Sequence, residues 1–134
     1  MKEPKEIEVR VSKQDHKIPN DLFDSLSKGL YPTTSVTVHG VGEFVLHFPS
    51  GKDEMASARM TARYIGNMSR DSFHPGIMNA IERDCTLIVC IDSYPEDFPE
   101  AWKNEGFFDY PKPEVKNAIF KAFDTFLAEV KKKI

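Results

Sequence analysis

Val36-Thr37-Val38-His39-Gly40-Val41-Gly42-Glu43-Phe44-Val45-Leu46-His47-Phe48 is the stretch that decides the fold. Val36 and Val38 alternate with Thr37, and Phe44, Leu46 and Phe48 alternate with Val45 and His47, which is the period of a strand with one buried face. Gly40 and Gly42 supply the backbone freedom of a tight reversal between the two runs. The reading is a β-hairpin at about 35–48. Two strands alone are marginal in water, so the apolar face must rest on helices.

C-terminal to the hairpin, Ser50-Gly51-Lys52-Asp53 has the form of a helix start, with the Ser50 hydroxyl and the Asp53 carboxylate capping each other's amides. The spacing predicts a helix over 52–65, ending at Gly66-Asn67, with Met55, the Arg59 stem, Ala62 and Ile65 on one face. His74-Pro75 opens a second helix, in which Ile77, Ile81, Cys85 and Ile88 recur at helical intervals. Its end, Thr86 to Ile91, is apolar and β-branched enough to be a buried strand, but the unbroken spacing from residue 77 favours helix. Pro95 stops it. A last helix begins near Pro113 and buries Val115, Ile119, Ala122, Phe123, Phe126 and Val130, with Leu127 widening the stripe.

N-terminal to the hairpin, Ile7, Val9 and Val11 alternate with Glu8 and Arg10, so a short strand is predicted there. Asn20 can cap a brief helix carrying Leu22, Phe23 and Leu26, stopped by Gly29. The expected architecture is α+β and mostly α-helical. One β-hairpin packs on about three helices, with residues 1–34 as a partly ordered N-terminal arm and 35–134 as the core domain.

A chain of 134 residues, 40% hydrophobic and 29% charged, has the makings of one folded domain with a core of its own. The net charge of −3 supplies no basic face for phosphates, so nucleic acid is not an expected partner. No run approaches the roughly 20 apolar residues of a membrane span, and the N-terminus lacks the apolar run of a secretory signal. Cys85 and Cys90 sit among apolar residues and read as buried free thiols in a reducing cytoplasm.

No chemistry-bearing constellation emerges. His16, His39, His47 and His74 lack metal-type neighbours and read as exposed strand or turn residues. His39 and His47 lie on either side of the hairpin turn, but two ligands do not make a site. A nucleophile with its base and a phosphate-binding glycine loop are both missing, so neither catalysis nor a cofactor or metal is expected. What stands out is an aromatic, acidic segment: Tyr94, Phe98, Trp102, Phe107, Phe108 and Tyr110, accompanied by five acids and one base, Lys103. These rings are either a hydrophobic cluster that pins a long loop or a partner-binding surface. If they bind a partner, replacing Trp102 or Phe107 weakens capture with little loss of thermal stability. A large fall in melting temperature marks the loop-pinning alternative. Ile7, Val9 and Val11 are a second binding candidate, as a strand that a partner's edge completes.

From residue 36 onward, the order of motifs resembles the tail assembly chaperones of long-tailed (siphovirus-type) bacteriophages. The resemblance rests on Val38-His39-Gly40-Val41-Gly42-Glu43-Phe44-Val45-Leu46, on the helix start Ser50-Gly51-Lys52-Asp53-Glu54-Met55, on Asp92-Ser93-Tyr94-Pro95-Glu96-Asp97-Phe98, and on the closing helix. About 100 residues take part. It implies a non-catalytic chaperone or adaptor in the host cytoplasm. Its partners would be the tape measure protein and the tail tube protein. The alternative is a structural virion component, such as a tail-completion or connector protein. A homo-oligomer is left open.

Overall fold

The computed structural model describes residues 9–134. Its elements, in chain order, are β1 (Val11–Lys17), α1 (Leu22–Ser27), β2 (Thr33–Val38), β3 (Gly42–His47), α2 (Gly51–Ile65), α3 (Pro75–Cys90), β4 (Ile91–Ser93) and α4 (Pro113–Lys131). Short 3₁₀ turns lie at Arg70–Ser72, Glu100–Trp102 and Asn104–Asp109.

β2 and β3 form the hairpin, with Val38 opposite Gly42 and Val36 opposite Phe44. Val36, Val38, Phe44 and Leu46 are all buried on its inner face. Gly40 and Gly42 have positive φ, at 81° and 129°. Gly42 has a second role, because a Cβ there would lie 2.6 Å from the Cβ of Pro95. Its bare backbone lets the chain leaving β4 pack against the turn.

The hairpin is not alone, and this corrects the expected architecture. It forms the middle of a four-stranded antiparallel sheet in the order β1-β2-β3-β4. β1 was hard to see because Ser12 to Lys17 carry almost no apolar alternation. An edge strand can be held by its backbone ladder while polar side chains stay in water. Its pairings run from Lys13 opposite Thr37 to Lys17 opposite Thr33. Gln14 turns inward, and its Nε2 donates to the Ala122 carbonyl at 2.7 Å. β4 is a three-residue strand directly after α3, too short to show a period. Residues 11–34, expected as an arm outside the core, therefore supply an edge strand and the buried Leu22.

α4 lies across the inner face of the sheet. Val115, Ile119, Ala122, Phe123, Phe126 and Val130 are all buried, as their spacing predicts. α3 is helical through Cys90, and extended backbone begins only at Ile91. Its inward face turns on Met78, Ile81, Cys85 and Leu87, while Ile77, expected inside, is exposed in the first turn. Among the described residues no helix is long and apolar enough to cross a membrane.

Ser50 and Asp53 form the predicted reciprocal cap of α2. The Asp53 amide donates to Ser50 Oγ at 3.2 Å, and the Ser50 amide donates to Asp53 Oδ2 at 2.8 Å. Ser50→Ala should lower unfolding stability by about 1 kcal/mol, read as a drop in the urea midpoint with an unchanged slope.

Candidate functional site

The aromatic segment folds inward. Phe98 and Phe107 are buried, and Tyr94, Trp102, Phe108 and Tyr110 are half-buried. Four of these rings surround Phe44 of β3 or one another: Phe98 meets Phe44 edge-on at 5.5 Å, Tyr94 stacks on Phe98 at 5.2 Å, and Phe107 stacks on Tyr110 at 5.7 Å. Trp102 closes the cluster against Tyr110 at 6.3 Å. Such edge and offset geometries add to the area buried. The Tyr94 hydroxyl accepts the Asn104 amide at 2.9 Å, and burial pushes its pKa up. Gly106 is required by close approach, since a Cβ there would lie 2.0 Å from the Ala101 carbonyl oxygen. Phe98 and Phe107 thus pin the loop to the sheet and are closed to a partner. Phe108 stands apart, stacked on Tyr64 of α2 at 4.6 Å.

Of the second candidate set, Ile7 lies outside the described residues. Val9 and Val11 are half-buried and pack against the core, and β1 is already paired with β2 on one side. Among the described residues nothing pairs with its outer edge.

α2 presents a surface that the sequence predicts but assigns to the wrong side. The expected inward face was Met55, Arg59, Ala62 and Ile65. The side turned toward α3 instead carries Ser57, Met60 and Thr61, with the Thr61 hydroxyl donating to the Ser57 carbonyl at 3.0 Å. Small and hydroxylated side chains pack there as well as aliphatic ones, so the apolar pattern does not mark the buried side. Met55, Ala58 and Ala62 are exposed and Ile65 is half-buried, at intervals of three, four and three residues. Ala58, Ala62 and Ile65 line a groove of about 510 Å³ between α2 and α3, together with Thr86, Val89 and Cys90 of α3. Glu54, Arg70 and Glu82 lie on its polar margin, and Arg70 pairs with Glu82.

Four of the five methionines, Met55, Met60, Met68 and Met78, belong to α2, α3 and their connection. Met55 and Met68 are both more than half exposed, at 56% and 55%. Unbranched thioether side chains re-pack around different shapes at low cost.

The polar groups follow a different logic. His47, expected to be exposed, has a side chain only 20% accessible and lies between two carboxylates: Nε2 is 2.8 Å from Asp53 Oδ2, and Nδ1 is 2.7 Å from Asp92 Oδ1. Burial alone would lower its pKa, but the hydrogen bonds and charges of Asp53 and Asp92 outweigh burial and raise it above 6.5. His39 sits exposed in the hairpin turn, and the residue opposite His47 is Thr33. His16 is within 2.9 Å of Thr34 Oγ1 and packs on the Phe126 ring. Asp84 and Lys116 form a buried ion pair at 2.8 Å, joined by Arg83. Cys85 and Cys90 are buried free thiols, and burial pushes Cys90 up to about 12, far from a reactive thiolate. Among the described residues no group of three or more His, Cys, Asp or Glu could hold a metal ion.

No protein-family model, curated protein or solved structure matches the chain. The functional reading therefore rests on the geometry and on the motif order quoted above.

Proposed function

We propose that the chain is a non-catalytic tail assembly chaperone or adaptor of a long-tailed bacteriophage, acting in the host cytoplasm to capture the tape measure protein and help recruit tail tube subunits. The observation that carries this reading is the apolar stripe Met55-Ala58-Ala62-Ile65 of α2, whose first three members are exposed and whose last three line the α2–α3 groove. Its three-four-three spacing is that of a seam between two helices. The alanines let a second helix approach closely, and Met55 and Ile65 give it apolar contacts at either end. A long helical client with a repeating apolar stripe is the natural occupant of such a seam. Exposed methionines at its margins suit a surface that must accept many similar, non-identical turns. The net negative charge favours solubility of the chaperone while its client is unassembled.

The test is co-expression with the tape measure protein proposed as its client, followed by co-purification. Wild type should retain that protein. Ala62→Arg, which adds bulk and charge to the seam at an exposed helical position, should weaken capture by roughly thirtyfold or more, the scale of an interface hot spot. Its melting temperature should barely change, since an exposed substitution costs within about 0.5 kcal/mol. Undiminished capture by Ala62→Arg rules out the α2 seam.

A further inference from the structure

The His47 contacts cannot all survive the loss of its proton. A neutral imidazole has one N–H and one lone pair, whereas His47 faces a carboxylate oxygen at both nitrogens, 2.8 Å and 2.7 Å away. Both contacts are hydrogen bonds only when the ring is the doubly protonated cation. Deprotonation turns a lone pair toward one of the two anions.

The two anions are not equally free to leave. Asp53 is held by the Ser50 amide at 2.8 Å and the Ser50 hydroxyl at 3.0 Å, and its side chain is 21% exposed. Asp92 is 47% exposed and sits on the three-residue strand β4, which meets β3 only at Val45 with Ser93 and at Leu46 with Ile91, across an irregular register. We propose that His47 is a pH-operated latch for the sheet edge: its imidazolium ties β4 to β3 and to the start of α2, and loss of the proton releases the Asp92 arm and loosens β4. This does not rest on the docking reading of α2.

The groups around the ring are consistent with a single switch. From α2 it faces Asp53, with Glu54 next in the chain, and from β4 it faces Asp92. Near the same two carboxylates, the Cys90 thiol at the end of α3 is held un-ionised by burial and by Asp53 and Asp92. β2 offers uncharged Thr33, and β1 places Lys17 one strand further away. The raised pKa of His47 means that its stabilisation is complete below about 6.5 and disappears as pH rises through the folded-state value. Asp53, despite burial that would raise it, is held below its ordinary carboxylate value by Ser50 and His47, so its own contribution fails only in acid.

Amide hydrogen exchange of the full chain, expressed as protection factors so that intrinsic base catalysis cancels, tests this from about pH 5.5 to about pH 9. Protection across the β3–β4 pairing should fall by roughly tenfold or more over that range, the scale of one hydrogen bond to a charged group. His47→Gln and Asp92→Asn should each flatten the profile, and Asp92→Asn, at the more exposed partner, keeps the test open if His47→Gln folds poorly. Protection that is flat in wild type, or that falls equally in Asp92→Asn, overturns the proposal.

Discussion

Replacing Phe107 with alanine is expected to lower the stability of the domain by about 3–5 kcal/mol, the cost of emptying a buried aromatic site. The ring is fully buried and contacts Phe44, Tyr94, Phe98 and Tyr110. Deleting it takes away the central contact of a cluster that holds 94–110 against β3, in a segment with no long helix to support itself. For a domain of this size the loss should appear as a fall of roughly 10–15 °C in melting temperature. A shift of only a degree or two, with partner capture lost, would instead make the rings a docking surface.

The second large effect is expected at the buried ion pair. Lys116 Nζ lies 2.8 Å from Asp84 Oδ2 and donates to the Phe108 carbonyl at 3.0 Å, joining α4 to α3 and to the aromatic loop. Lys116→Met should cost about 3 kcal/mol, because a carboxylate only 7% exposed loses its ammonium partner. The figure sits at the low end for such a loss because Arg83 stays within 2.8 Å of the other Asp84 oxygen. Asp84→Leu combined with Lys116→Met should recover most of the stability, since an apolar pair of similar volume fills the site without desolvated charge. Urea denaturation of the two single variants and the double variant completes the cycle. Additive losses would show that the pair contributes little beyond packing.

These two effects also separate what the sequence disclosed from what it concealed. The α4 stripe was legible because, Lys116 apart, every buried position from Val115 to Val130 is apolar, so period and burial coincide. The hairpin was legible for the same reason, and its two positive-φ glycines marked the reversal. β1 was hidden because Lys13, Asp15 and Lys17 belong to a strand whose stability comes from its ladder with β2. α2 misled because Met55, Arg59 and Ala62 of its expected inward face look outward and only Ile65 packs inward, while Ser57 and Thr61 occupy the packed side. Periodicity finds an amphipathic face without saying what covers it.

The polar sites were partly or wholly out of reach. Asp53 was predicted as a cap, but not as a partner of His47. Asp92, which is 45 residues away from His47 in the chain, could be placed only by β4 pairing with β3. Asp84 and Lys116 are 32 residues apart, with nothing local to mark either as buried. For the aromatic segment, composition left loop pinning and partner binding both open. Burial of Phe98 and Phe107 puts the weight on pinning, while Met55, Tyr64 and Met68 of α2 and the α2–α3 connection, like Phe23 and Leu30 near α1, stay exposed.

Amide hydrogen exchange mapped on the chain alone, and again in the presence of the tape measure protein proposed as its client, tests the proposed docking seam most directly. Protection gained along 54–66 of α2 and 82–89 of α3, with the 94–110 segment unchanged, is the predicted pattern. Protection confined to 94–110 or to the outer edge of β1 would contradict it.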